Sequence, residues 1–166
     1  MCKAKNYQYT ANENRLADVI AAIQVMSVYK FYKLDFSHWA TRISGQKDKD
    51  IYWKNIFMQH PEFFRLSEDK CKASLVWRRT RPRRYDVDQE KVISNEDYEN
   101  LSDKARISRS PLDNSDISTL INAAIHLHSE EIANKKDARW WVSGIIGVIG
   151  AITGLISVLF VLFSQT

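Results

Sequence analysis

The chain has 166 residues, of which 45% are hydrophobic and 27% are charged, and its formal net charge is +4. This length allows one small folded domain followed by a linker and a terminal segment. The two cysteines, Cys2 and Cys71, lack the spacing of a metal site and are too few for a disulfide framework, which excludes the zinc-finger and disulfide-rich classes.

The net charge conceals two parts of opposite sign. Residues 1–85 carry 17 Lys or Arg against 8 Asp or Glu, a net charge of +9, whereas residues 86–138 carry 6 against 12, a net charge of −6. The first part therefore suits phosphate or an acidic partner, and the second does not.

Two helices are predicted at the start of the chain. The sequence Thr-Ala-Asn-Glu at 10–13 has the form of a capping box, and apolar residues at helical spacing extend the first helix to about Lys33. A short second helix begins with Asp35 or Ser37 as its N-cap and ends at Gly45.

A third helix and a hairpin complete the N-terminal part. The third helix is predicted over 48–60, and the extended runs 63–66 and 73–79 flank a polar loop at 67–72. Three helices followed by a hairpin are the order of a winged helix, with the third helix as recognition element and the loop as wing. We therefore predict a winged-helix-like domain over residues 1–85, with a generic α+β bundle as the alternative.

Residues 86–138 predict an acidic linker followed by a helix. The stretch 86–116 is polar, with one short helix near 94–104. From Ser115 an apolar stripe at helical spacing predicts a longer helix, which no Pro or Gly interrupts before Trp140.

The segment 140–163 contains no charged residue, Asn, Gln or Pro. As a helix it would be roughly 36 Å long, enough to cross a hydrocarbon core of about 30 Å. A buried core helix is the alternative, but such helices seldom lack a polar side over this length. The predicted fold class is therefore α+β, mainly α: a winged-helix-like domain (1–85), a helical linker (86–138) and a single C-terminal transmembrane helix (139–166).

The flanks of this segment predict its orientation. Basic residues precede it and none follows, so the positive-inside bias keeps the N-terminal domain cytoplasmic, and residues 1–14 contain no signal-peptide pattern. The predicted interfacial anchors are Lys135, Lys136, Arg139, Trp140 and Trp141.

Small residues recur along one stripe of the same segment at spacings of 4, 3, 4 and 3. Close backbone approach along small residues is the usual route to association within lipid. We therefore predict a homo-oligomer that packs through Ser143, Gly147, Gly150, Gly154 and Ser157.

A basic cluster with interleaved aromatic residues follows the hairpin, and its composition suits phosphate contacts and stacking. The alternatives are a surface held against anionic lipid headgroups and a solvated strand end. The candidate nucleic-acid or partner-binding residues are Lys49, Lys54, Trp77, Arg78, Arg79, Arg81, Arg83 and Arg84.

The sequence gives little support for catalysis. It has no Gly-rich phosphate loop and no nucleophile motif, and Gly45 is the only glycine before the apolar segment. His126 and His128 would point about 200° apart on a helix, so they cannot share a metal. We predict a protein that is not an enzyme and has no metal or cofactor.

Several short motifs carry a resemblance to a known family. They are Ala-Asp-Val-Ile (17–20), Tyr-Lys-Phe-Tyr-Lys-Leu (29–34), Tyr-Trp-Lys (52–54), His-Pro-Glu-Phe-Phe-Arg-Leu (60–66) and Leu-Val-Trp-Arg-Arg (75–79). The chain resembles small bacterial membrane proteins of antiphage defence loci, including transmembrane effectors encoded beside retron reverse transcriptases. The resemblance transfers no catalytic residue.

The resemblance and the apolar segment together lead to a functional prediction. The chain would be a single-pass toxin of the bacterial inner membrane, held inactive by a nucleic-acid-containing partner such as a reverse transcriptase complex. It would act by oligomerisation of its span in the lipid bilayer and disruption of the membrane. The alternative is a tail-anchored winged-helix DNA-binding regulator or adaptor without toxicity.

Overall fold

The structure is a computed structural model and describes residues 8–10 and 12–137. This part of the chain contains five α-helices and six short strands. In order they are α1 (Arg15–Val28), β1 (Lys33–Asp35), α2 (Phe36–Ser44), α3 (Asp50–Gln59), β2 (Phe64–Leu66), β3 (Lys72–Leu75), β4 (Tyr85–Asp86), β5 (Lys91–Val92), α4 (Asn95–Asn100), β6 (Ile107–Ser108) and α5 (Asn114–Asp137). Two 3₁₀ turns lie at Lys47–Lys49 and Trp77–Thr80.

Helix α1 buries one apolar face. Val19, Ile23 and Met26 are fully buried, and their spacing of four and three residues places them on one side of the helix. The helix ends at Val28 rather than near Lys33, because the residues that follow turn away and pair as β1 with β3.

Helix α2 begins and ends as its sequence predicts. The Asp35 carboxylate accepts a hydrogen bond from the His38 backbone N–H at 2.9 Å, which caps the helix N-terminus. Gly45 has a φ of +72°, and its N–H donates to the Thr41 carbonyl at 3.0 Å. Only glycine adopts this left-handed conformation readily, so the helix stops there.

The first sheet consists of β1, β2 and β3. It is antiparallel in the order β1-β3-β2, so that β3 lies in the middle. Side chains of directly paired residues share a face. Ala73 pairs with Leu34 and Leu66 on the face towards the core, and the alternate residues of each strand point outwards.

One hydrophobic core joins the helices to the inner face of this sheet. The Trp39 side chain is fully buried in it and donates from Nε1 to the Ala73 carbonyl at 2.9 Å. The C-terminal part contributes as well, because Leu112, Leu120 and Ala124 belong to the same cluster. The core therefore holds the start of α5 against the N-terminal elements.

A polar cluster lies at the end of α3, where His60 is fully buried. The His60 Nδ1 lies 3.1 Å from the Glu62 Oε1, and the Tyr9 hydroxyl donates to that same oxygen at 2.6 Å. Burial raises the pKa of Glu62, but these two hydrogen bonds lower it more, so the pKa lies below its usual value.

The second sheet is formed by β4, β5 and β6, in the antiparallel order β5-β4-β6. Each strand has two residues, and Val87 and Ile107 supply its buried apolar side chains. It occupies the stretch of chain that the sequence predicted as a linker.

The predicted fold class is wrong. We predicted a mainly α chain with a winged-helix-like domain, a helical linker and a transmembrane helix. The described part is α+β, about half helical, with two small antiparallel sheets. The hairpin of β2 and β3 was predicted, but the two- and three-residue strands β1, β4, β5 and β6 are too short for hydrophobic alternation to develop, which is why the sequence pattern missed them.

None of the helices within 8–10 and 12–137 is both long and apolar enough to cross a membrane. The predicted span at 140–163 lies outside the described residues, together with its small-residue stripe and the anchors Arg139, Trp140 and Trp141. The other two predicted anchors, Lys135 and Lys136, lie in the last turn of α5.

The chain divides into two compact units, one through His128 and one from Ser129 onwards. The described part of the second unit is the end of α5. The domain limits predicted at residues 85 and 138 stay a prediction.

Candidate anion-binding groove

Arg78, the first arginine of the predicted basic cluster, is completely buried. Its guanidinium donates to four backbone carbonyls, those of Met26 at 3.0 Å and Ser110 at 3.2 Å and those of Tyr29 and Arg109. Burial lowers the pKa of Arg78 to about 10, which still leaves the group charged at neutral pH. A guanidinium used in this way holds chain segments together and is closed to a ligand.

Arg81 is engaged by acidic residues at the start of α5. Its Nη2 lies 2.5 Å from Asp116 Oδ2 and 3.5 Å from Asp113 Oδ2. The pair ties the residue after the Trp77–Thr80 turn to the first turn of α5.

Arg83 and Arg84 bond to the second half of the domain. Arg83 donates from Nε to the Ile107 carbonyl at 3.0 Å and from Nη2 to the Lys104 carbonyl at 3.1 Å. Arg84 donates from Nη1 to Asn95 Oδ1 at 2.7 Å. Both arginines therefore support the segment that carries the second sheet.

The remaining predicted binding residues separate into two places. Arg79 and Trp77 are exposed in the 3₁₀ turn after β3, and Arg79 borders a groove on the first sheet. Lys49 is exposed just before α3, and the Lys54 ammonium lies 5.5 Å from the centre of the Phe36 ring. The lining of the groove includes neither lysine.

The groove lies on the outer face of the first sheet and has a volume of about 820 Å³. Every strand of that sheet and the hairpin loop contribute to it. Its basic lining residues are Lys33, Arg65, Lys70, Lys72 and Arg79.

The strand register explains why these cations share one face. Ser74 of the central strand pairs with Lys33 on one side and Arg65 on the other, so the three residues form a row across the sheet. Neighbouring strands lie about 4.8 Å apart, which places the Lys33 and Arg65 backbones about 10 Å from each other. Lys72 lies two residues before Ser74 and therefore points to the same face.

The hairpin loop completes one end of the groove. Asp69 Oδ1 accepts hydrogen bonds from the Ser67 hydroxyl and, at 3.1 Å, from the Cys71 backbone N–H. These hydrogen bonds lower the pKa of Asp69, with a smaller contribution from the charges of Lys72 and Lys33. The carboxylate is thus used to shape the loop, and Lys70 turns the chain with a φ of +54°.

Positive charge predominates in this groove. Five cations line it against the two carboxylates of Glu68 and Asp69, a net charge of +3. Across residues 8–10 and 12–137, none of the five cations takes part in an ion pair. A concave surface of this charge concentrates anions, and its ammonium and guanidinium groups suit phosphate oxygens.

A second groove of about 540 Å³ lies beside the second sheet and α4. Its charged lining residues are Asp86, Asp97 and Lys91, so it has the opposite sign. Asp86 already accepts hydrogen bonds from the backbone N–H groups of Asp88 and Gln89 at 2.8 and 3.0 Å. The net charge of −1 in this groove repels a phosphate ligand.

Sequence reasoning found Arg79 but missed Lys33, Arg65, Lys70 and Lys72. One signal was present: Arg65 alternates with the apolar Phe64 and Leu66, which places it on the outer face of a half-buried strand. Lys33 gave no such signal, because β1 itself was taken for the end of a helix.

Within the described part of the chain, no three His, Cys, Asp or Glu side chains lie together as metal ligands. The arrangement is suited to binding anions by charge. Comparisons with protein-family models, with curated proteins and with solved structures each return no match.

Proposed function

We propose that the protein binds the phosphate backbone of a nucleic acid in the groove on its first sheet. The observation that carries this proposal is the presence of five cations without ion pairs on one concave face. Phosphate contacts of this kind supply affinity and position without reading base sequence.

Shape favours nucleic acid over a lipid surface as the partner. Cations that line a concavity can contact a flexible phosphate chain lying in it, whereas lipid headgroups present a plane. Trp77, whose residue is 37% exposed in the turn that carries Arg79, offers a surface for base stacking beside the cations.

The cellular setting is proposed from the sequence. The segment 140–163 is free of charge, and we propose that it attaches the chain to the bacterial inner membrane and self-associates through its small residues. With the resemblance to antiphage defence proteins, this makes the chain an effector whose nucleic-acid-containing partner, for example a reverse transcriptase complex, holds it inactive.

The groove is tested by oligonucleotide binding to the full chain in non-ionic detergent. Lys33→Gln with Arg65→Gln should weaken binding of a labelled single-stranded oligonucleotide about tenfold or more, because two phosphate contacts are lost. The matched control is Lys47→Gln with Lys91→Gln, which removes the same charge from exposed positions outside the groove. Equal weakening by the two pairs would reject the groove as the binding site.

The effector role is tested by expression of the chain alone. Unrestrained self-association should depolarise the cells, and replacing Gly147, Gly150 and Gly154 with Leu should abolish this toxicity while the protein stays in the membrane fraction. Harmless expression of the unmodified chain would favour a regulator or adaptor instead.

A further inference from the structure

We propose that a network of arginines couples occupancy of the groove to the first turns of α5. The arginine network consists of Arg78, Arg81 and Arg109, which connect the Trp77–Thr80 turn to residues 109–116. The proposal rests on polyanion binding in the groove and adds a mechanism by which that binding stabilises the first turns of α5.

The first connection is made by Arg78. From the Trp77–Thr80 turn its buried side chain reaches the carbonyls of Arg109 and Ser110, five and four residues before α5. Its other bonds go to Met26 and Tyr29 at the end of α1. The turn is therefore fixed between two helices by a single guanidinium.

The second connection runs in the opposite direction. Arg109 donates from Nη1 to the Arg79 carbonyl at 2.7 Å and also to the Arg81 carbonyl. Its guanidinium carbon lies 5.2 Å from the centre of the Tyr32 ring. Arg79, whose side chain borders the groove, thus has its own backbone held by the segment that leads into α5.

The third connection reaches the helix itself. Asp113 caps α5, because its Oδ1 accepts the Asp116 backbone N–H at 2.9 Å and the Ser115 hydroxyl at 2.6 Å. Arg81 contacts both Asp113 and Asp116. The cap of α5 and the end of the turn are therefore one charged cluster.

This cluster carries a surplus of positive charge. Arg78, Arg79, Arg81 and Arg109 supply four positive charges, and the ion pairs that they make within the described ranges are those of Arg81 with Asp113 and Asp116. A phosphate bound to Arg79 supplies negative charge that reduces the repulsion among these four arginines. A bound polyanion therefore strengthens the network and the start of α5, and its release weakens them.

Coupling of this kind is reciprocal. If the polyanion stabilises the first turns of α5, breaking the network must weaken polyanion binding by the same factor. Couplings between sites in proteins are commonly about 5-fold to 150-fold.

The test is hydrogen–deuterium exchange of the full chain in non-ionic detergent, with and without a saturating single-stranded oligonucleotide. Backbone amides at 112–120 should exchange about fivefold slower or more when the oligonucleotide is bound. Amides of α2 (Phe36–Ser44) serve as the internal reference and should change less, because the hydrogen bonds and ion pairs of Arg78, Arg81 and Arg109 go to residues outside α2.

Variants separate coupling from binding. Arg81→Gln and Asp116→Asn should each abolish the protection at 112–120, and the double variant should lose no more than either alone. The matched control is Arg83→Gln, which removes a neighbouring charge that bonds to Lys104 and Ile107 and should retain the protection.

The outcomes are distinct. An oligonucleotide that binds without slowing exchange at 112–120, or equal protection in Arg81→Gln, overturns the coupling and leaves the proposed binding function intact. Failure of the unmodified chain to bind the oligonucleotide rejects the binding function and the coupling together.

Discussion

Two regions of this protein are rich in positive charge, but the arginines around Arg78 hold the fold together and the cations on the first sheet face outwards. Arg78 is fully buried and satisfies four carbonyls, whereas Lys33 and Arg65 lie on the outer face of a sheet without ion pairs in the described part of the chain. The arginines that lie closest together in the sequence, from Arg78 to Arg84, are the ones that hold chain segments together. The density of arginine along a chain therefore says less about binding than the acceptors each side chain meets.

The two regions differ in role because only one of them lies beside backbone carbonyls that need a hydrogen-bond donor. Residues 109–113 carry the chain from β6 to α5, and the Arg109 and Ser110 carbonyls there accept hydrogen bonds from Arg78. Arginine has five donors on a planar group, so it can satisfy several such carbonyls at once. The first sheet pairs its own backbone, and its outward Lys33, Arg65 and Lys72 side chains make no ion pair within residues 8–10 and 12–137.

Loss of the buried guanidinium should have the largest effect. Arg78→Met should lower the free energy of unfolding by roughly 3–5 kcal/mol, because four carbonyls lose their donor in a buried place. Urea unfolding of the full chain in non-ionic detergent, followed by tryptophan fluorescence, measures this. Arg79→Met in the same turn is the matched control and should change stability by less than about 0.5 kcal/mol. A loss below about 1 kcal/mol for Arg78→Met would contradict the structural role.

Loss of the partly exposed Glu62 carboxylate, which is paired with the buried His60, should have an intermediate effect. Glu62→Gln should cost about 1–2 kcal/mol near neutral pH, since hydrogen bonds from Tyr9 and His60 to a charged acceptor are weakened. The same urea titration measures this change. Equal stability of the variant and the unmodified chain would show that the charge of Glu62 contributes nothing.

The pH dependence of this cluster has a definite sign. The pKa of Glu62 is lowered in the folded chain, so its stabilisation is present above the ordinary carboxyl pKa and is lost as the pH falls through the folded value. Below about pH 4.5 the stability of the unmodified chain should therefore fall more steeply than that of Glu62→Gln. Parallel pH profiles of the two proteins would contradict this assignment.

Neutralising the groove should have the smallest effect on stability. Lys33→Gln with Arg65→Gln should change the free energy of unfolding by less than about 0.5 kcal/mol, or raise it slightly by relieving repulsion. Urea unfolding again measures this. A loss comparable to that of Arg78→Met would remove the contrast between the two basic regions.

Local signals in the sequence predicted several elements of this fold. Asp35 and Gly45 delimit α2 because a carboxylate cap and a left-handed glycine act through adjacent residues. Two apolar runs flanking a polar loop predicted the hairpin of β2 and β3. These features depend on neighbours within a few positions, which a sequence shows directly.

The parts that were missed depend on distant residues. Lys33–Asp35 becomes a strand because β3, about 40 positions later, pairs with it, and the two-residue strands of the second sheet have no pattern of their own. The burial of Arg78 depends on carbonyls at Met26 and Ser110. For the same reason the groove could not be assembled before the register of the first sheet was known.

The salt dependence of oligonucleotide binding tests the central claim most directly. For a single-stranded oligonucleotide, each phosphate contact contributes about 0.7 to the slope of log affinity against log salt, measured between about 50 and 200 mM. We expect Lys33→Gln with Arg65→Gln to lower the magnitude of that slope by about 1.4, and Lys47→Gln with Lys91→Gln to leave it unchanged. An unchanged slope in the groove variant would show that the first sheet does not carry the phosphate contacts.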